Sequence, residues 1–448
     1  MASTYLTRTN TGTVTNNKIF TFSAWIKRST ISTTQNSIFA SYPSGTSNDL
    51  LYMPTADTLG FWGAISGSQS VFYLTNRVLR DVSAWYHIVL AVDTTQATAS
   101  DRVKIYINGV QETSFSQSSA PAQNTEFRLA KASNPQEIGS QNGGSTFDGL
   151  MSHVHFVDGT AYTPSAFGST DNVTGQWKIN TSPSVNYGTN GFFILKDGNS
   201  VTDQSGNSNN FTVGGGTLIK TEDCPSNNFA TLNPLQGNLT LTNGNTSATT
   251  SSYQYALSTI GMNSGKYYFE MKVTHGCMVM GIQDFNKAQD RLFGSGTFWY
   301  SGSQSYHLDG FSRFSHDSYG DISSDATAYP TYGNNDIIMM AVDLDNNKLA
   351  YGKNGYWYNS TNPSSGTTNM VSIDAPSTLS SGFYGFVAAD TCSASDGTFY
   401  VNFGSGFFGS QAITTNSGAG YAGADGASKF QYQPPTNYRA LNTKGLNT

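Results

Sequence analysis

Charge is scarce in this chain. Asp, Glu, Lys and Arg together make up 12% of its 448 residues, about half of the ~25% usual in globular domains. Ser, Thr, Asn, Gln and Gly must therefore cover the surface, as they do in fibres and particle coats. The 23 basic residues are outnumbered by 29 acidic ones, giving a net charge of −6. That excludes the basic stripe by which a nucleic-acid binder neutralises phosphates, and no polybasic membrane anchor is present. No apolar run approaches the ~18 residues that span a bilayer. The first residues, Met-Ala-Ser-Thr-Tyr-Leu-Thr-Arg, contain no apolar signal-peptide core. Three cysteines, Cys224, Cys277 and Cys392, are too few and too far apart for a disulfide framework or a zinc site. The expectation is free thiols in a protein made in a reducing cytoplasm, without membrane insertion.

Helix signals are nearly missing, and strand signals take their place. In Gly265-Lys-Tyr-Tyr-Phe-Glu-Met-Lys-Val273, the residues Tyr267, Phe269, Met271 and Val273 alternate with polar neighbours. This is the period-two pattern of a strand with one buried face. Val103, Ile105 and Ile107 repeat it. Tyr86–Asp93 and Asp336–Asp343 are apolar more continuously and predict central strands. Asn-Gly pairs begin at Asn108, Asn142, Asn190, Asn243 and Asn354; such pairs accept the positive φ of tight hairpin turns. The fold class predicted is all-β, with two antiparallel jelly-roll sandwiches in tandem.

The length exceeds the ~250–300 residues that one core usually serves. Patterned strands fill 1–165. A stretch rich in Asn, Gly, Ser and Thr, 166–235, predicts a connecting segment with short strands. A second patterned region runs over 236–410, and 411–448 predicts an extended C-terminal tail that orders against a partner.

Several phrases resemble known families. Phe20-Thr-Phe-Ser-Ala-Trp-Ile26, Ala84–Asp93, Val103–Gly109, Ile138-Gly-Ser and Phe147–Val154 resemble, in order, the strands of laminin G-like (concanavalin A-like) domains. Gly265–Glu270, Met280-Gly-Ile282, Val342–Lys348, Lys353-Asn-Gly-Tyr-Trp357 and Val401-Asn-Phe-Gly404 resemble a SPRY domain. Asn227–Pro234 and Pro434–Thr443 resemble phrases of phage structural proteins. These resemblances imply bent sandwiches that bind through loops. They point to a non-enzymatic virion protein of the tail-fibre or surface-adhesin type, binding a host glycan or protein receptor. A capsid or tail decoration protein bound to other virion proteins is the alternative, and a glycan-active enzyme a third reading. By analogy the protein is expected to be a homo-oligomer located in the virion.

Glycosidic hydrolysis needs two facing carboxyls. The enzymes of this sandwich place them at alternate positions on a strand. The five glutamates, Glu112, Glu126, Glu137, Glu222 and Glu270, have no acid two residues away, so no catalytic residue is assigned. No G-x-S-x-G elbow occurs. Gly418–Gly423 matches G-x-G-x-x-G without a following helix, which makes it a chance match. His153 and His155, two apart on one strand, could share a metal, but no third ligand is identifiable, and a polar solvent face opposite inward Val154 and Phe156 is the favoured reading. Asp317, Asp321 and Asp325 space three carboxylates along a loop that could take calcium. Aromatics, 13% of the chain, give the ligand-binding candidates: Trp62, Trp299, Tyr300, Tyr306, Tyr319 and Trp357, expected on loops where flat rings can stack on sugars.

Overall fold

Alternating apolar residues do build the strands. The computed structural model describes residues 4–31, 34–196, 200–237, 239–250, 254–286, 305–309, 313–316, 322–324, 331–390, 397–415 and 420–446. Between 305 and 324, only Tyr306 and Leu308 have described side chains. Two compact units divide the chain, Met1–Lys220 and Thr221–Thr448. Among the described residues, regular structure is strand apart from single 3-10 turns and a four-residue helix, Thr443–Leu446.

The first unit pairs two antiparallel sheets. One has eight strands in the order Phe115–Ser119, Ser68–Val78, Thr58–Ile65, Ser47–Met53, Asn36–Ser44, Pro135–Ile138, Tyr5–Thr9 and Thr212–Gly215. The other has six: Phe192–Ile194, Gly149–Asp158, Ile19–Arg28, Trp85–Asp93, Val103–Ile107 and Val110–Gln111. Phe20, Phe22, Ile88 and Leu90 meet Phe39, Leu51 and Phe61 between the sheets. Each such ring or branched chain contributes about 1.5–3 kcal/mol by leaving water.

The segment after 165 is part of this sandwich up to Lys220, where a connecting stretch was expected. Phe192–Ile194 extends the six-stranded sheet, and Thr212–Gly215 extends the eight-stranded one. Arg8 ties them in. Its guanidinium lies 5.7 Å from the centres of both Phe192 and Phe211, and it donates to Asn190 O and Asn209 Oδ1, each at 3.0 Å. Asp203 braces the intervening loop by accepting from the N–H groups of Phe193, Ser205 and Asn209. The Asn- and Ser-rich composition reflects hydrogen-bonded turns here rather than a linker.

In the second unit, a seven-stranded sheet runs Leu232–Gly237, Tyr255–Met262, Tyr384–Asp390, Met278–Asp284, Ser305–Asp309, Arg313–His316 and Ile322–Ser324. Facing it are Thr240–Thr242, Ser247–Thr250, Gly397–Asn402, Lys266–Val273, Ile337–Asp343, Lys348–Lys353 and Tyr356–Trp357, with Val371–Ser372 beside Lys348–Lys353. Phe269, Met271, Phe386, Phe399 and Phe403 fill the core.

The far side of the strand Lys266–Val273 is also buried, where one buried face was expected. The tail covers it. Phe430, Tyr438 and Ala440 pack on Tyr268, Met339 and Ala341, and Arg439 bridges Tyr267 in parallel. The tail is extended, as predicted, but it orders against its own unit. Cys277 is disulfide-bonded and Cys224 is free, so the expectation of three free thiols fails at Cys277. Cys392 lies outside the described residues.

Candidate functional site

The eight-stranded sheet of the first unit turns one face to its core and one outward. Leu51, Phe61, Val71 and Tyr73 point in. Strand alternation therefore points Tyr52, Trp62, Phe72 and Leu74 out, and all four are half-buried. Trp62 pairs with Leu50 on one side and Phe72 on the other. Gly60 pairs with Tyr52 and Leu74. A Cβ at Gly60 would lie 2.6 Å from Tyr52 Cε1, so the glycine lets the tyrosine ring lie flat across the strand. The edge strand adds Ser119 beside Phe72 and Gln117 beside Leu74, both exposed. The result is an outward aromatic platform with a polar rim. Trp62 is thus placed on a strand, not on a loop. Tyr52 and Phe72 were missed, although their alternation with buried Leu51, Met53, Val71 and Tyr73 was readable in the sequence.

The other candidates separate. Tyr306 is 1% exposed and belongs to the second core. Its hydroxyl accepts from the Asp374 N–H at 2.8 Å, so it cannot meet a ligand; a period-two strand placed it inward. Trp357 is half-buried beside Tyr268, edge-on at 6.2 Å. Its neighbours differ sharply, with Tyr356 80% exposed and Tyr358 buried. Trp299, Tyr300 and Tyr319 lie outside the described residues, as do Asp317, Asp321 and Asp325. Among the described residues, no group of three or more His, Cys, Asp or Glu is placed to hold a metal ion.

His153 and His155 do not share a solvent face. A bulge between Ser152 and His155, with His153 at φ +49°, breaks the alternation. Both are buried. His153 Nδ1 meets Ser152 Oγ at 2.8 Å. His155 Nδ1 meets Tyr187 Oη at 2.8 Å, and its ring stacks on Phe193 at 4.0 Å. Burial holds the His155 imidazole far below its ordinary range. The expected solvent side of this sheet is instead covered by Phe167, Tyr162, Val185 and Tyr187.

His87 lies under the same cover. Its ring stacks on Trp25 at 4.8 Å and on Trp177 at 5.9 Å. The Trp177 indole N–H can only donate, and it donates to His87 Nδ1 at 2.9 Å. His87 is therefore the neutral Nε2–H tautomer, donating to Ser23 Oγ at 2.9 Å. Burial pushes its pKa down to about 3. These imidazoles are structural.

Carboxylates are used the same way. Asp57 pairs with Arg28 at 2.9 Å and Arg80 at 2.8 Å. Asp158 accepts from the N–H groups of Thr15, Asn16 and Asn190. Asp284 accepts from those of Asn286, Ser380 and Ser381. Glu270, whose strand position suggested solvent, is buried. It accepts from Tyr268 Oη, Tyr432 N, Asn402 Nδ2 and Gln431 N at 2.7 to 3.1 Å. Burial pushes it up to about 7 against these four donors. Each of these acids braces backbone or a buried cation.

Residues 1–165 match the model of the concanavalin A-like lectin/glucanases superfamily. The first unit thus holds a concanavalin A-like domain. No curated protein matches the chain. Among solved structures, the SPRY domain of human HERC1 is similar at 12% identity and a TM-score of 0.29, over 38% of this chain and 96% of that one. A putative carbohydrate binding protein from Bacteroides ovatus ATCC 8483 is similar at 19% identity and a TM-score of 0.31, over 49% of this chain and 58% of that one. Domain 4 of AbnA, a GH43 extracellular arabinanase from Geobacillus stearothermophilus, is similar at 20% identity and a TM-score of 0.25, over 34% of this chain and 65% of that one.

Proposed function

We propose that this chain is a non-enzymatic structural protein of a bacteriophage virion, of the tail-fibre or surface-adhesin type, that holds a host glycan on the outward face of its concanavalin A-like domain. The observation that carries the reading is the platform of Tyr52, Trp62, Phe72 and Leu74 on a domain whose superfamily contains lectins. Flat, half-buried rings present apolar area to the C–H face of a sugar, and exposed Ser119 and Gln117 can bond its hydroxyls. The bracing carboxylates favour holding a glycan over cleaving it. The sparse charge suits a coat surface.

An array of bacterial surface glycans and adsorption to host cells test this. Wild-type protein is expected to bind, and Trp62→Ala to lose at least about tenfold in affinity. Silence of correctly assembled protein on both assays overturns the reading. A decoration protein anchored by its C-terminal tail is less favoured, because residues 430–441 are already engaged by their own unit.

A further inference from the structure

The eight-stranded sheet of the first unit ends on Phe115–Ser119, and the six-stranded sheet ends on Val110–Gln111. The chain passes from one end strand to the other through residues 112–114, so both sheets stop on the same flank of the sandwich. Among the described residues, nothing pairs with the free side of either strand. Val110 pairs with Ile107, which faces the core, yet Val110 is 58% exposed. Ser118 pairs with inward Tyr73 and is exposed too. Phe115, half-buried, lies edge-on to Tyr73 at 5.2 Å on the same margin.

The backbone of this margin is open as well. The Leu74 carbonyl accepts from Ser116 Oγ at 3.3 Å, so Leu74 turns its polar groups toward the end strand. Alternation turns those of Tyr73 the other way. Ser118, opposite Tyr73, is left with its N–H and C=O pointing out of the sheet edge. The bulge between Phe115 and Gln117 leaves Gln117–Ser119 regular. Native edge strands usually block such groups with charge or proline. Residues 115–119 carry neither, and 113–125 contain no charged side chain.

We propose that this margin pairs, antiparallel and about a two-fold axis at Ser118, with the same margin of a second copy of the chain. The lack of charge selects a second copy as the partner. A two-fold contact sets each residue near the axis against itself, which repels wherever that residue is charged. Here the two Ser118 residues exchange N–H···O=C bonds, and the second copy covers the margin that holds Val110 and Phe115. The strand alone is small beside the ~800 Å² per partner of a stable interface, so the dimer is concentration-dependent. Its two outward faces lie on one side of a continuous sheet, with the Trp62 positions roughly 24 Å apart at ~4.8 Å per strand. The pairing does not depend on what the Trp62 platform holds.

Light scattering and sedimentation velocity on the full chain test this. At about 100 µM, above the micromolar range of a weak contact, the wild type is expected to have the mass of two chains, falling to one on dilution. Ser118→Lys and Ser118→Glu, at an exposed position, are each expected to weaken pairing at least about tenfold, with thermal melting by circular dichroism unchanged. Mixing the two variants is expected to restore the dimer, because opposite charges then meet at the axis. A wild type that stays monomeric, an oligomer whose mass Ser118→Lys leaves unchanged, or a mixture that stays monomeric overturns the proposal.

Discussion

Asp49 shows how a single residue couples this fold to pH. It is buried, and Oδ2 accepts the N–H of Leu129 at 3.0 Å and that of Arg128. Burial outweighs these bonds and pushes its pKa from 3.8 up to about 7. The folded state therefore holds a proton that the unfolded chain releases. This contribution to stability is full below about pH 4 and is lost as pH rises through about 7. Urea midpoints of the first unit are expected to fall between pH 5 and pH 8 in the wild type, and Asp49→Asn is expected to flatten that dependence. His87 is the opposite case, a base kept neutral by burial. Its imidazole ¹⁵N shifts are expected to report the Nε2–H tautomer unchanged down to about pH 4. Trp177→Phe removes the indole N–H that donates to Nδ1 and should cost about 1–3 kcal/mol in chemical denaturation. The role of His87 was not visible in the sequence, because a histidine on the second face of a strand reads as solvent-exposed until something covers that face; Asp49 shares the inward face of its strand with Leu51 and Met53.

At the scale of elements, turns were more legible than covers. Four of the five Asn-Gly pairs adopt positive φ at both residues, at Asn108, Asn142, Asn243 and Asn354. Local backbone chemistry suffices for that. The fifth, Asn190-Gly191, does not; a Cβ on Gly191 would meet Tyr187 O at 1.9 Å, so that glycine answers a tertiary approach. The strand Lys266–Val273 was legible on its inward side only. Its other side is buried by a segment more than 150 residues later, through Glu270. Glu270→Ala strands two backbone N–H groups, an amide and a phenol, each costing about 1–3 kcal/mol. Limited proteolysis should then cut the variant within 420–442, while the first unit resists as in the wild type. Intact tails in that variant would show that side-chain packing alone holds the segment.

For the molecule as a whole, strands that complete a sandwich lie well beyond the stretch that matches a family. Phe192, Ile194 and Phe211 are buried in the first core, each worth about 1.5–3 kcal/mol. A fragment of residues 1–165 lacks them and leaves Tyr5–Thr9 and Gly149–Asp158 as bare edges. It is expected to melt at least about 10 °C below a fragment of residues 1–220, or to aggregate, as read by circular dichroism and light scattering. Equal melting would show that 166–220 is dispensable.

The amino-acid order by itself determined the strands, most of their hairpins and the inward residues of both cores, because period-two alternation and Asn-Gly turns act over a few residues. It also marked Trp62 and Trp357 as aromatics worth placing. Only the tertiary structure decided which outward faces stay open. Tyr306 went inward, His87 and Glu270 were covered by distant segments, and Trp62 gained Tyr52 and Phe72 as neighbours. Exposure of a sheet's second face depends on what packs across it, and no local pattern carries that information.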